Sequence, residues 1–252
     1  MVPALAAGFC QIWWAHAGAA TEPLLDLLDE RERRRYSRYV RGQDRALFLV
    51  AHALVRILAA RHCAAEPPAI RFATGGPGAK PCFAGAASEL ELSISHSGRR
   101  AVVALSRGVA LGVDVERKGR VGSPGQERSL AESVLTSSEL RALAVLEPPS
   151  RQWGFYRYWT RKEAILKATG DGLAVPPKLI VVSPPTDPPA LTRWAGPRRP
   201  AGPIHLYDLE AGPGYAAALA AIGSPLELTV HDGSAILRGW NRAGARAASR
   251  GG

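Results

Sequence analysis

Two short segments of this chain concentrate residue types that handle phosphate and metal chemistry. In Leu111-Gly112-Val113-Asp114-Val115-Glu116, strand periodicity puts Leu111, Val113 and Val115 on one face and Asp114 and Glu116 on the other. Two carboxylates sharing a face repel unless a cation or strong donors lie between them. Oxygen-only ligands favour a hard cation, Mg²⁺ rather than Zn²⁺. The plain alternative is an edge strand with a solvated acidic face. In Trp159-Thr160-Arg161-Lys162-Glu163-Ala164-Ile165-Leu166-Lys167-Ala168, helical spacing places Glu163 and Lys167 one turn apart on one face, with Trp159 one turn before them. That carboxylate and ammonium could supply a metal ligand or base and a partner for phosphate charge. The plain alternative is a surface Glu–Lys pair worth about 0.2–0.5 kcal/mol.

Two weaker segments accompany them. Ser93-Ile94-Ser95-His96-Ser97-Gly98 reads as a strand end entering a turn. There His96 could serve as base, metal ligand or phosphate donor, or simply as a hydrogen-bonded loop residue. Gly75-Gly76-Pro77-Gly78-Ala79-Lys80-Pro81 is a glycine-rich turn ending in a lysine, without the Lys-Ser/Thr step and following helix of a Walker loop. No Ser/His/Asp order that would support nucleophilic hydrolysis is evident. Only five of the 32 basic residues are lysines, at 80, 118, 162, 167 and 178. Three of these, Lys80, Lys162 and Lys167, fall inside the segments above, where a compact ammonium replaces the guanidinium used elsewhere.

The elements that must position these residues can be read from periodicity. Gly8–Trp14 reads as a strand, and 24–39 and 44–62 as amphipathic helices, the second with Leu47, Val50, Leu54 and Leu58 at helical spacing. A short strand over 70–73 precedes the glycine-rich turn. Strands follow at 90–95, 101–106 and 109–116, with turns at Ser97-Gly98 and Arg107-Gly108. After a Gly- and Ser-rich loop, Thr136-Ser137-Ser138-Glu139 is a capping-box signature opening a helix to about Val145. A longer helix from Ser150 stops at Gly170, and a strand over 179–183 comes next. Residues 184–203 hold seven prolines and read as an irregular excursion. Strands at 204–209, 215–222 and 226–230 close the pattern. Both halves thus run helices and then antiparallel-type strands, an α+β chain of two similar lobes, although no sequence repeat is convincing. The expected division is an N-terminal lobe over 1–108, a C-terminal lobe over 109–240 carrying the acidic and Glu/Lys motifs, and a basic, mobile tail over 241–252.

Composition bounds the partners. The chain has 252 residues, 46% hydrophobic and 21% charged, which excludes a disordered or collagen-like chain despite 26 Gly and 20 Pro. No run of about 18 uncharged apolar residues occurs, so no membrane span is expected. Three cysteines, Cys10, Cys63 and Cys82, form no metal knuckle or redox pair, and a reducing cytoplasm is the expected compartment. The formal charge of +10 divides evenly: residues 1–108 carry 14 basic and 9 acidic groups, and 109–252 carry 18 and 13. Such a spread suits partners bearing phosphate or carboxylate without naming one. The acid-free run Arg238, Arg242, Arg246, Arg250 stands apart.

Taken together, the four segments resemble the Sfp-type 4′-phosphopantetheinyl transferases. The family's Gly-Val-Asp-Val-Glu strand and its Trp-Ser/Thr-x-Lys-Glu-Ala-x-x-Lys-Ala helix stand here as Gly112–Glu116 and Trp159–Ala168. Gly170-Asp171-Gly172-Leu173 matches its Gly-x-Gly-Leu, and Ile94-Ser95-His96-Ser97 its Ile-Ser-His-Ser. Ala79-Lys80-Pro81 is similar to its Gly-Lys-Pro, with Ala for Gly, and Glu32-Arg33-Arg34-Arg35 and Arg45…Leu54-Val55-Arg56 resemble its N-terminal helical pair. The likeness covers about residues 24–183; the proline-rich stretch has no counterpart.

The resemblance implies a pseudo-twofold pair of α/β lobes with coenzyme A in the cleft between them. It implies transfer of the phosphopantetheine arm to a serine of an apo acyl or peptidyl carrier protein, releasing 3′,5′-ADP. Asp114, Glu116 and Glu163 would hold Mg²⁺, with Mn²⁺ as a substitute. Asp114 and Lys167 would also face the coenzyme A pyrophosphate, and Glu163 would deprotonate the carrier serine. Arg35, Lys80, Ser95 and His96 would contact coenzyme A, while Lys162 would flank the site. A cytoplasmic monomer is expected, engaging neither nucleic acid nor membrane. Two rival readings remain. A Mg²⁺-dependent nuclease would also use an Asp-x-Glu strand and a Glu/Lys helix, but nucleases of that type place the lysine two residues after the acid on a strand. A non-enzymatic basic binding protein would leave Asp114 and Glu116 without a purpose.

Overall fold

The computed structural model describes residues 3–73, 82–119, 124–170 and 172–248. The chain divides into two compact units, split near residue 108.

The first unit begins with strand β1 (Phe9–His16). The helix expected over 24–39 is interrupted: a 3₁₀ turn at Glu22–Leu27, with Pro23 in its first turn, gives way to an extended Leu28, and α1 (Glu30–Ser37) starts afresh. The break has a local cause. Asp29 accepts from the Glu32 amide at 2.8 Å while the Glu32 carboxylate accepts from the Asp29 amide at 3.0 Å, a capping box that nucleates a new helix. Helix α2 (Gly42–His62) is apolar around most of its circumference and forms the core of the unit, buried from Leu47 to Ala60 except at His52. A minor hairpin pairs β2 (Arg71–Phe72) with β3 (Phe83–Ala84). Next come β4 (Leu90–Ser97) and β5 (Arg100–Arg107), joined by the turn at Gly98; β5 pairs antiparallel with both β1 and β4.

The second unit repeats this order of elements. Strand β6 (Leu111–Arg117) leads into α3 (Pro124–Val134), α4 (Ser137–Ala144) and the long α5 (Pro148–Thr169). A minor hairpin of β7 (Ile180–Val182) and β8 (Leu191–Trp194) precedes β9 (Ile204–Asp208) and β10 (Tyr215–Ile222). Its main sheet runs β6-β10-β9, just as β1-β5-β4 does in the first.

Three expectations are corrected. The Gly/Ser-rich loop holds α3, whose Leu130, Ala131 and Val134 recur at helical spacing behind the breakers Gly122 and Gly125. The proline-rich excursion contains β8, because Ser183 fixes its ends: the Ser183 amide donates to Ala190 O at 2.9 Å, and its hydroxyl oxygen accepts from the Ala190 amide at 2.9 Å. The C-terminal segment assigned to the second lobe and to a tail belongs elsewhere. Strand β11 (Glu227–Asp232) lies beside β1, and from Leu228 on the chain clusters with the first unit. Helix α6 (Gly233–Ala248) continues through residues read as a tail, with Leu237 buried in the first core. His231 stacks on Trp13 with ring centroids 4.4 Å apart.

Within the first unit, the fully buried Arg56 of α2 gathers the capping box and the following chain. Its guanidinium donates to Glu32 Oε2 at 2.8 Å, Asp29 Oδ2 at 2.7 Å and Ile70 O at 2.9 Å. Burial alone would raise the Glu32 carboxyl, but the His52 hydrogen bond and charge, the Arg56 charge and the Asp29 amide hold it below its ordinary value. Arg56→Met, which leaves the buried Glu32 short of its partner, is expected to cost about 3–5 kcal/mol in urea unfolding. Because the folded-state value is depressed, the Glu32 contribution is present above the ordinary glutamate pKa of 4.5 and is lost as pH falls through the depressed value. Acid titration of wild type should therefore show stability falling below that pH, with a shallower fall in Glu32→Gln.

Candidate functional site

Strand β6 is the edge of its sheet, yet Leu111 through Glu116 are all buried. The solvated acidic face is thus not what forms: Asp114 is only 4% exposed and Glu116 only 7%. What covers them begins at Gly112. A Cβ on Gly112 would fall inside the Ala164 carbonyl oxygen and the Ala168 amide nitrogen, and within 2.8 Å of the Lys167 carbonyl carbon. The backbone of α5 therefore rests directly on the backbone of β6, which only glycine permits.

That contact delivers the chemistry. About one turn past Glu163, the Lys167 ammonium donates to Asp114 Oδ1 at 2.7 Å and to Val113 O at 3.1 Å. Lys167 therefore serves the strand carboxylate across the contact, and the pair is not a routine surface interaction between helix neighbours. Glu163 is half-buried on the same helix. Its carboxyl is pushed up, first by burial, then by the Asp114 charge, with Glu116 adding to the rise and Lys167 partly opposing it. Three carboxylates and one ammonium thus interact electrostatically at the α5–β6 contact, an arrangement characteristic of a site that handles protons or cations.

Among the described residues, no three His, Cys, Asp or Glu side chains form a ready-made metal cage. The donor set nonetheless fits a hard divalent cation: it is all oxygen, and its mutual repulsion is relieved by positive charge. Mg²⁺ typically takes one or two carboxylates and completes its shell with water and substrate phosphate, so a closed cage is not required.

The other expected residues are placed as follows. Arg35 is exposed on α1, with its guanidinium over the Phe48 ring at 5.4 Å from the centroid. Ser95, buried, and His96, half-buried, lie on β4 at its turn end, opposite Val102 and Ala101. All three belong to the first unit, and the α5–β6 group to the second. Lys80 lies outside the described residues. Lys162 does not flank the site but turns into the core, wholly buried against Glu139 at 2.6 Å. Two participants carried no assignment in the sequence: Gly112 as the point of helix contact, and Arg161, fully buried and paired twice with Asp208 at 2.9 and 2.7 Å. The Gly in the strand motif was a visible signal for the first; nothing local marks Asp208.

Gly112→Ala must lift α5 off β6. The expected result is a folded protein losing about 1–3 kcal/mol from overpacking, with the Lys167–Asp114 bond broken in its crystal structure. An unchanged melting temperature and an intact bond would contradict the assigned contact.

Comparison with known proteins places this group. Residues 110–220, which contain β6 and α5 and reach into β10, match the family model of the 4′-phosphopantetheinyl transferase superfamily. The 4′-phosphopantetheinyl transferase HetI of Nostoc sp. is 30% identical over 172 residues, covering 68% of this chain and 71% of HetI. Sfp of Bacillus subtilis, named for the same activity, is 26% identical over 62% of this chain and 66% of its own. A Synechocystis relative is 35% identical over 59% of each chain. The chain thus spans less than two thirds of the Synechocystis and Bacillus proteins. The match to HetI across more than two thirds of its length, together with the family model over the α5–β6 group, shows that this chain belongs to the 4′-phosphopantetheinyl transferase superfamily.

Proposed function

We propose that the protein transfers the 4′-phosphopantetheine arm of coenzyme A to a serine of an apo acyl or peptidyl carrier protein. The observation that carries this reading is the α5–β6 group: Lys167 bonded to Asp114 at 2.7 Å beside a Glu163 whose carboxyl is raised, all inside the stretch matched by the family model. The names HetI and Sfp supply the reaction for the relatives, and the group contains what that reaction asks of a protein.

In this reaction the carrier serine Oγ attacks the phosphorus bearing the pantetheine arm, a new P–O bond forms, and the P–O bond to 3′,5′-ADP breaks. Glu163 accepts the serine proton. The Lys167 ammonium lies where it can offset charge developing on the pyrophosphate while orienting Asp114. Asp114, Glu116 and Glu163 are the residues that would hold Mg²⁺ or Mn²⁺, which when bound neutralises pyrophosphate charge. Arg35, Ser95, His96 and Lys80 are assigned to coenzyme A, in a cleft between pseudo-twofold lobes. The same sheet order in both units, β1-β5-β4 and β6-β10-β9, supports the reading of two similar lobes. No helix among the described residues is long and apolar enough to cross a membrane, and we assign the protein to the cytoplasm as a monomer.

The direct test is mass spectrometry of apo carrier proteins incubated with this protein, coenzyme A and Mg²⁺; a carrier gaining a phosphopantetheine arm is the expected product, and none doing so would refute the reading. Glu163→Gln is expected to lower turnover at least about tenfold, the scale of losing a general base, while coenzyme A still binds. Asp114→Ala should abolish Mg²⁺-dependent coenzyme A binding by calorimetry; unchanged affinity would remove Asp114 from the metal set.

A further inference from the structure

Glu163 follows two buried cations, and the directions in which they pull have a bearing on where it points. Lys162 is wholly buried and donates to Glu139 Oε2 at 2.6 Å, Val134 O at 3.0 Å and Pro177 O at 3.2 Å. Glu139 is itself committed elsewhere: it accepts from the Thr136 amide at 2.8 Å in the α4 capping box and from the Val182 amide of β7 at 3.1 Å. One ammonium therefore ties α5 to the end of α3, the start of α4 and the approach to β7. About 100° around the helix, Arg161 ties α5 to Asp208 at the end of β9, to Ser183 O at 3.0 Å and to Pro184 O at 2.9 Å. The close approach of Ala164 and Ala168 to Gly112 fixes a third side. A helix held on three sides can neither roll nor slide.

The first unit contains the same device. There the buried cation is Arg56 on its long helix, and the capping-box glutamate is Glu32 on the short helix before it. The residue after Arg56 is the buried core side chain Ile57; the residue after Lys162 is Glu163. The brace is shared, and only in the second unit does it carry a carboxylate at the next position.

The geometry points to Lys162 as a positioning residue: through Glu139 it sets the rotation of α5 that presents Glu163 and Lys167 to Asp114 across the Gly112 contact. This inference rests on the transferase reading for its kinetic arm and on the α5–β6 geometry alone for its structural arm. The test compares wild type, Lys162→Arg, and the double variant Lys162→Met with Glu139→Gln. The double variant removes both buried charges, and the glutamine oxygen still accepts from the Thr136 amide of the α4 cap. It is expected to fold, to keep the KM for coenzyme A within about threefold, and to lose at least about tenfold in kcat. Lys162→Arg, which rebuilds the brace as Arg56 does, should recover kcat to within about threefold of wild type. In the crystal structure of the double variant the Lys167–Asp114 bond should be broken, and in Lys162→Arg it should be kept. A folded double variant with wild-type kcat, or with that bond intact, would overturn the inference. If wild type itself modifies no carrier, the transferase reading fails, and the two crystal structures alone decide the role of Lys162.

Discussion

Helix α5 lies on β6 closer than two side-chain-bearing backbones can approach, and much of the second unit follows from that contact. Because Gly112 has no Cβ, the carbonyl of Ala164 and the amide of Ala168 meet the strand directly. Lys167, rising from the same turn, needs only to reach along the strand to find Asp114 and the Val113 carbonyl. The contact also explains why an edge strand can hide two carboxylates. The helix packed on the strand brings an ammonium to Asp114, which offsets part of the cost of burying that carboxylate. A larger residue at 112 would keep every charged side chain in the sequence and still disperse the group.

Buried cations recur as joints of the fold. Arg56, Arg161 and Lys162 are all inaccessible to solvent, and each gathers carbonyl oxygens from chain segments distant in sequence as well as a carboxylate. A pair of this kind contributes little net stability relative to an apolar pair of the same shape, but it is strongly directional and leaves a large penalty if any partner is misplaced. Such joints are better suited to fixing geometry than to adding stability. That two of the three sit immediately before Glu163 places the directional constraint where proton transfer would demand it.

The sequence made the order of elements legible where periodicity was clean. The strands of both main sheets, α2, α4 and α5 fall within a few residues of where alternation and the Thr136–Glu139 capping signature put them. It failed where local punctuation misled. Pro23 and Asp29 divide an apolar-periodic stretch into two helical pieces, glycines at its start mask α3, and prolines on both sides conceal β8, which exists because Ser183 closes its hairpin. In the site, the motif pattern identified Asp114, Glu116, Glu163 and Lys167 as a set. It could not show that Lys167 would bond to Asp114 and not to Glu163, nor that Lys162 would turn inward. Those outcomes depend on Gly112, Glu139 and Asp208, residues whose roles are decided by tertiary neighbours lying 23 to 54 positions away.

The strand and helix after Leu228 return to the first unit, which makes the second an insertion in the chain of the first. During synthesis, the sheet that begins with β1 must wait for β11 until the whole intervening stretch has left the ribosome. At roughly 5–20 residues per second, that delay is on the order of ten seconds. Throughout it, one side of β1 has no strand beside it, and Trp13 lacks the His231 ring that later stacks on it. A nascent chain in that condition presents an open strand edge, the kind of surface that chaperones engage and that other chains can pair with. The carboxyl-terminal segment thus acts as a closing piece, and its arrival marks the moment when the first unit becomes complete.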